Sequence, residues 1–347
     1  MAFVKPAYSR KQISRAGDIL VKHDVSVEDM AWAADVLTNW RACHGYPINT
    51  FQATLRNKLK AIDKQAIVAQ RLKRAPSIIL KLQRFEGMKL ARMQDIGGLR
   101  AIVGSIAKLN RLEAAYRDST FLHDLSHSKN YVSNPKDDGY RGIHMIYRYD
   151  NPIAPEYEGL SVELQFRTRV QHAWATAVET MGTFLGQALK SGQGSEDWRR
   201  FFIVASAALA MVERTAPVPG YENCTEFEIA EELRNIEARL HVLEKLRGFA
   251  IVAAQITQER GQGAYHLIVL DSGNRTVSLK PFPLARLEQA NIEYAQIELR
   301  AKAGESVEAV LVAAGPVDAL KKAYPNYFLD THEFVRQISK ILGKRVQ

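Results

Sequence analysis

The stretch VELQFRT, residues 162–168, alternates apolar and polar side chains so strictly that an extended strand is the conformation that satisfies it. Val162, Leu164 and Phe166 then share one face, and Glu163, Gln165 and Arg167 the other. A central strand serving only as scaffold would not carry three long polar side chains on one side, so that side is wet or catalytic. A second segment, DDGYRGIHMIYRYD (137–150), continues the theme. Ile143, Met145 and Tyr147 alternate with His144, Ile146 and Arg148, and in an extended chain Tyr140, Gly142 and His144 point the same way. The glycine leaves a space flanked by a ring and an imidazole, which suits a nucleotide base and equally suits ordinary core packing.

Helical and extended patterns mix around these strands. Residues 10 to 75 read as helical, with Pro47 as punctuation and Asn49 or Thr50 as an N-cap. LRAIVGS (99–105) is a short apolar strand and residues 106–119 a helix. NPIAPEYEG makes a hairpin-like loop between the two alternating strands. RVQHAWATAVETMGTFLGQAL and SEDWRRFFIVASAALAMVE follow as helices, the second capped by Ser195. The two prolines and the glycine of TAPVPGYENCT (215–225) place a domain boundary, dividing the chain into 1–215 and 216–347. The second part begins with an amphipathic helix from Glu226. FAIVAAQIT, YHLIVLD and RTVSLKPF then form a meander, followed by a helix, the strand VEAVLVAA and two short helices. An aromatic corner, Tyr324, Tyr327 and Phe328, leads into the last helix, capped by Asp330 or Thr331. The fold class is α+β: a mixed sheet flanked by helices, with a second small α+β domain.

Composition narrows the setting. No run of about 18 apolar residues exists to cross a membrane, the N-terminus lacks a signal peptide's apolar core, and Cys43 and Cys224 lack metal-ligand spacing. A cytoplasmic protein with reduced thiols is expected. The net charge of +9 is uneven: residues 1–215 hold 31 Lys+Arg against 21 Asp+Glu, and residues 216–347 hold 16 against 17. Basic excess in the first part suits a phosphate-rich partner, nucleotide or nucleic acid.

Four segments carry chemistry-bearing residues. In RLKRAPSIILKL, Arg71, Lys73, Ser77 and Lys81 recur at helical spacing, able to hold a triphosphate or simply to form a solvated basic face. In MQDIGGLRAIV, Asp95 precedes a strand and two glycines, a cation ligand or a turn residue. The Tyr140/His144 strand and the Glu163/Gln165 strand complete the set. Together they supply cations for a donor, two carboxylates for Mg²⁺ and for a base, and an aromatic platform, the parts phosphoryl chemistry needs.

In this order, RLKRAPSIILKL, QDIGGLR, PKDDGYRGIH and VELQFRT closely resemble the synthetase domain of the RelA/SpoT homologue family of alarmone synthetases, over roughly residues 35 to 215. The resemblance implies a nucleotidyltransferase-like domain that moves the β,γ-pyrophosphate of ATP to the 3′-hydroxyl of GDP or GTP, making (p)ppGpp. It implies that Arg71 and Arg100 sandwich the adenine, that Lys73, Ser77 and Lys81 hold the ATP phosphates, and that Asp95 and Glu163 bind Mg²⁺. Glu163 is also the implied base; Tyr140 stacks on the acceptor base, while His144, Lys136 and Gln165 position the acceptor. The chain departs from the pattern at Asp138, where the family usually has Asn, at Gly142, where Ser is common, and at Asn130, where Asp is common.

Relatives that hydrolyse alarmones carry a helical domain with a His-Asp metal site upstream. His23-Asp24 and His123-Asp124 are read as incidental dipeptides, so no hydrolase domain is expected. Two other readings stay open. Toxic relatives use the 3′ end of tRNA or an adenine nucleotide as acceptor, which the basic first part would favour. A non-catalytic nucleotide-binding module is the third. The C-terminal domain is read as accessory or regulatory, a place for a protein partner.

Overall fold

In the computed structural model, residues 3–119, 121–185, 196–247, 265–271, 274, 276–305, 307–313 and 331–343 are described. Helices α1 (Arg10–Leu20), α2 (Val27–Ala42) and α3 (Gly45–Ile62) open the chain. Ser9 and Gln12 form a capping box on α1, and the Ser26 side chain caps α2. Pro47 sits in the first turn of α3, where its missing N–H costs nothing, so α3 begins before the caps expected at Asn49 or Thr50. Helical structure also stops earlier than the periodicity implies. Asp63 ends α3, its carboxylate accepting the Gln65 and Gly104 backbone N–H groups and pairing with the Lys108 ammonium, and Ile67–Leu72 runs on as strand β1.

The remaining elements of the first layer are α4 (Ala75–Arg84), β2 (Gly97–Val103), α5 (Ile106–Arg117), β3 (Asp124–Asn130), β4 (Ile143–Arg148) and β5 (Ser161–Thr168). The five strands form one mixed sheet, order β1-β2-β5-β4-β3, in which β2 and β5 are parallel and the other pairs antiparallel. This is the helix-flanked mixed sheet expected from the sequence. Its buried face carries Leu99, Met145, Val162, Leu164 and Phe166 against α3 and α5. The approach is close at Gly97, where a Cβ would meet Ile48 Cδ1 at 2.9 Å and His44 Cβ at 3.0 Å.

A second apolar cluster lies beside the sheet. It joins α6 (Arg169–Leu185) and α7 (Glu196–Glu213) to α8 (Glu226–Leu240), to residues 242–246 and to the last helix, His332–Ile341. Ile229, Leu233 and Ile236 of α8 and Phe334, Val335 and Ile338 of the last helix are buried in it with Phe201, Phe202 and Val204. The apolar face of the helix beyond residues 215–225 thus packs on the helices before them. Strands β6 (Tyr265–Asp271), β7 (Thr276–Phe282) and β8 (Val307–Ala313) form a separate antiparallel sheet, order β7-β6-β8, backed by α9 (Leu287–Lys302); the last helix is α10. The strand expected at FAIVAAQIT, the Ser195 cap and the corner at Tyr324, Tyr327 and Phe328 with Asp330 lie outside the described residues. Thr331 stands at the α10 N-cap position, but its hydroxyl donates to the Leu246 carbonyl.

Candidate active site

Lateral register in the sheet assembles the site. Arg71, Gly98, Glu163 and Ile146 face one another across β1, β2, β5 and β4, and the neighbouring row is Ala69, Arg100, Gln165 and His144. Residues two apart on a strand share a face, so the polar side of VELQFRT is flanked on both sides by further polar residues.

The half that the resemblance gives to the donor gathers cations around one carboxylate. Arg71 and Lys73 do not share a helix face with Ser77 and Lys81: Arg71 ends β1, Lys73 lies in the turn after it, and Ser77 and Lys81 stand one turn apart on α4. Pro76 starts α4 and breaks the helical reading. The turn nevertheless converges the charges. Lys73 Nζ lies 2.8 Å from Asp95 Oδ2, and Lys81 Nζ lies 3.0 Å from both oxygens. Burial would raise the Asp95 pKa, but the two ammonium groups outweigh it and hold the carboxyl below its usual range. Ser77 is half-buried, and the Arg71 side chain lies outside the described residues.

The half that the resemblance gives to the acceptor is a hydrogen-bonded chain. Gly139, in a left-handed conformation, lays the loop on α7, where the Ser206 hydroxyl donates to its carbonyl at 2.6 Å. Strand β4 starts only at Ile143, so Tyr140 reaches the site from a loop. Its ring is buried, with the Lys136 ammonium 5.3 Å and the Arg167 guanidinium 5.1 Å from its centroid. Tyr140 Oη lies 2.6 Å from His144 Nε2, and His144 Nδ1 lies 2.7 Å from Glu163 Oε1. Gln165 Nε2 donates to Tyr140 Oη at 3.0 Å, while Gln165 Oε1 accepts from Arg100 Nε at 3.0 Å. Arg100, assigned to the donor, therefore touches a residue assigned to the acceptor, and the two halves share a border. A cavity opens over this chain, lined by Lys136, Tyr140, His144, Gln165, Trp174 and Arg199.

Charge follows the bonding. Burial would lower the His144 pKa, yet Tyr140 and Glu163 raise it above the ordinary imidazole value. Burial would raise those of Tyr140 and Glu163; Arg167 and His144 bring the first down, and His144 brings the second down.

Other contributing residues were not singled out by the sequence reading. Arg141 is buried and donates to Glu213 at 3.2 Å, while Glu213 also accepts from Gln171, tying the Tyr140 loop to the end of α7. On the donor side, Glu298 of α9 accepts the Ala75 N–H at 3.1 Å, in the first turn of α4, and lies 3.5 Å from Arg41 Nη1. Tyr294 accepts from Arg41 Nη2 at 2.8 Å and bonds Glu298. No local signal links residue 298 to residue 75. Arg167 stands on the polar face as read, but nothing in the sequence shows it buried.

Residues 70–182 match the family model described as a region found in RelA / SpoT proteins. The chain is 30% identical over 114 residues to GTP pyrophosphokinase YjbM of Bacillus subtilis, covering 31% of this chain and 52% of that protein. It is 24% identical over 216 residues to the chloroplastic GTP diphosphokinase CRSH1 of Oryza sativa subsp. japonica, covering 57% of this chain and 36% of the relative. The chain thus spans about half, or less, of the length of these relatives. Among solved structures, the small alarmone synthetase 2 of Bacillus subtilis is similar at 19% identity and a TM-score of 0.43, over 52% of this chain and 94% of that one. Residues 70–182, the part that matches the RelA / SpoT region, carry Arg71, Lys73, Ser77, Lys81, Asp95, Arg100, Lys136, Tyr140, His144, Glu163 and Gln165.

Proposed function

We propose that this protein transfers the β,γ-pyrophosphate of ATP to the 3′-hydroxyl of GDP or GTP. One observation carries the reading: on a single sheet face, Glu163 lies between the Lys73–Asp95–Lys81 cluster and the Tyr140–His144 cavity. In the reaction, the acceptor's 3′-oxygen attacks the β-phosphorus of ATP, the bond from that phosphorus to the α-phosphate bridging oxygen breaks, and AMP leaves with the oxygen. Glu163 takes the hydroxyl proton. Lys73, Ser77 and Lys81 hold the triphosphate as the two lysines exchange Asp95 for phosphate oxygens, Arg71 and Arg100 clasp the adenine, and Lys136, Tyr140, His144 and Gln165 hold the acceptor. Such transfer depends on positioning and charge neutralisation more than on covalent catalysis.

Asp95 and Glu163 suit Mg²⁺, a hard cation commonly held by one or two carboxylates together with substrate phosphates. Bound there, the ion would neutralise charge on the transferring group. Both carboxylates are held ionised, as a cation ligand must be. Among the described residues no helix is long and apolar enough to cross a membrane.

The domain division at 215–225 and a controlling role for the C-terminal part belong to the same proposal, and the Glu298 contact with α4 supports the second. The test is incubation of the protein with [γ-³²P]ATP and, separately, GDP, GTP, AMP, ADP and deacylated tRNA. Labelled GDP or GTP with release of AMP is the expected result. Label in tRNA or an adenine nucleotide alone would move the acceptor to that class, and label in none would leave a nucleotide-binding module.

A further inference from the structure

We propose that Glu213, outside the segment matched to the family, is a positioning residue for the acceptor. Its carboxylate holds the Tyr140 loop, the end of β5 and the start of α6 at fixed separation and so sets the width of the cavity. The inference rests on the reading of that cavity as the acceptor site.

The cavity is built by four elements. Strands β4 and β5 give it His144 and Gln165, the loop before β4 gives Lys136 and Tyr140, α6 gives Trp174, and α7 gives Phe202 and Ile203. Glu213, the last residue of α7, bonds to three of its neighbours at once. Its Oε1 accepts from the Thr168 hydroxyl at the end of β5. Its Oε2 accepts from Gln171 Nε2 in the first turn of α6 at 3.1 Å and from Arg141 Nη1 in the loop at 3.2 Å. A carboxylate has the lone pairs to accept from several directions, which a hydroxyl or an amide in that place could not match.

The end of α7 is shaped for this contact. The Arg214 N–H donates to the Met211 carbonyl and the Thr215 N–H to the Ala210 carbonyl, a Schellman ending with Arg214 in the left-handed conformation that glycine usually takes. The turn brings the Thr215 hydroxyl to Arg141 Nη1 at 3.1 Å, beside the carboxylate. Arg141 Nε donates to Ser206 Oγ at 3.3 Å, and the same hydroxyl donates to the Gly139 carbonyl. Backbone on either side of Tyr140 is therefore held to α7. At Gly139 the loop lies so close that a Cβ would meet Ser206 Cβ at 2.9 Å and Trp174 Cζ2 at 3.3 Å.

Stability alone is a poor account of this pair. The Arg141 and Glu213 side chains are 2% and 7% exposed, and Arg141 Nη2 is buried without a hydrogen-bond partner. Replacing a buried ion pair by apolar groups of similar volume is often neutral or stabilising, so what such a pair adds is a single geometry. Here that geometry places the Tyr140 ring and the Lys136 ammonium opposite Gln165. A misplacement of about 1 Å, caused far from the reacting atoms, can cost on the order of 100-fold in rate.

The experiment uses the full chain with R141M/E213L and S206A, measuring kcat, both KM values and melting. R141M/E213L removes both charges together, so it should melt near the wild type while kcat/KM for the acceptor falls about 10- to 100-fold. The KM for ATP should stay within about twofold, because the Lys73–Asp95–Lys81 cluster has no contact with this network. S206A, which keeps the ion pair and loses the Gly139 anchor, should raise the acceptor KM about two- to tenfold, the size of one hydrogen bond. Unchanged acceptor kinetics in R141M/E213L would overturn the proposal, as would equal losses for ATP and acceptor, which mark a general loosening. If R141M/E213L does not fold, an unchanged acceptor KM in S206A overturns it alone.

Calorimetric titration with GDP in the absence of ATP reads the cavity without turnover. The wild type should bind GDP, and R141M/E213L should bind it about 10- to 100-fold more weakly. A wild type that labels no acceptor yet binds GDP removes the transfer reading and leaves this titration to decide the role of Glu213. A wild type that labels GDP or GTP, with equal GDP affinity in the folded double variant, removes the role of Glu213 and leaves the transfer reading standing. A wild type that neither labels an acceptor nor binds GDP overturns both.

Discussion

The two faces of the β2–β5–β4 sheet are made by the same strands, residue by alternate residue, yet they treat a histidine in opposite ways. On the core face, His44 lies under Gly97, fully buried, and burial pulls its pKa down to about 4. On the site face, His144 is four-fifths buried, and its pKa goes up because Tyr140 and Glu163 accept its charge. Burial alone does not decide protonation; the partners supplied by the neighbouring strand do. The core face is where stability resides, and the site face retains charge that a core would reject.

Substitutions that separate the two faces have the largest expected effects. Glu163→Gln keeps shape and removes the proposed base, so kcat should fall ~10²–10⁴-fold while melting stays close to that of the wild type. Asp95→Asn should likewise lose Mg²⁺-dependent transfer. A Glu163→Gln protein with wild-type turnover would remove the site face from the chemistry. Phe166→Ala, one residue from Gln165 and on the opposite face, should cost about 3–5 kcal/mol of stability through the cavity it leaves. Denaturant melts check this, and a loss below about 1 kcal/mol would mean the face is loosely packed.

His44 gives the core face a pH signature. Its Nδ1–H donates to the Trp40 carbonyl at 2.7 Å, and its Nε2 is buried without a partner, so the neutral ring is the form that fits. Between pH 6.5 and about 4 the unfolded chain binds a proton there that the folded chain does not. Its contribution to stability is therefore complete above pH 6.5 and is lost as pH falls toward 4, a change of roughly 3 kcal/mol. His44→Gln should remove that part of the slope, whatever it does to stability at pH 7. An identical slope in the variant would assign the pH dependence to other groups.

On the site face, Tyr140→Ala should raise the acceptor's KM more than that of ATP, since an aromatic platform contributes about 1–3 kcal/mol per base. Because the Tyr140 hydroxyl also holds His144, Tyr140→Phe should keep acceptor binding while lowering kcat. Equal losses for both substrates in Tyr140→Ala would make the ring a packing residue only.

What the sequence made legible follows the same division. The alternating strands β4 and β5, with Glu163, Gln165 and His144 on one side, could be read because one face is apolar and the other is not. Strand β1 was read as helix because IVAQRL continues the apolar spacing of α3, and only the Asp63 cap, a contact with Gly104 far along the chain, ends that helix. Strand β3, DLSHSKN, was missed because an edge strand need not bury either side, and it shows no apolar alternation. The Lys73–Asp95–Lys81 cluster could be assembled from motifs but not by helical spacing, since a strand end, a turn and a helix supply it. The Arg167–Tyr140 contact and the Glu298–Ala75 contact are products of tertiary packing that no local pattern encodes.

The smallest effect concerns that last contact, and it tests whether the donor half is controlled from the C-terminal part. Deleting everything after Ala216 is a poor probe, because α8 and α10 supply Ile229, Leu233, Phe334 and Ile338 to the cluster around α7. Such a fragment should be insoluble. Glu298→Gln is more selective. The Glu298 carboxylate sits at the positive end of α4, the helix that carries Ser77 and Lys81, and beside the Arg41 guanidinium, whose Nε bonds the Lys73 carbonyl at 2.9 Å. A fixed negative charge there opposes the charge of a triphosphate approaching the same helix. Removing it while keeping the amide's hydrogen bonds should lower the KM for ATP about two- to fivefold, the size of a charge effect of ~0.3–1 kcal/mol at a helix terminus. The KM for the acceptor and kcat should not move, because the Tyr140–His144–Glu163 chain lies on the other half of the sheet face. The shift should fade as salt is raised, since part of it is long-range attraction. A raised KM for ATP would make Glu298 a strut that holds α4 in place, and an unchanged one would leave α9 without a part in donor binding.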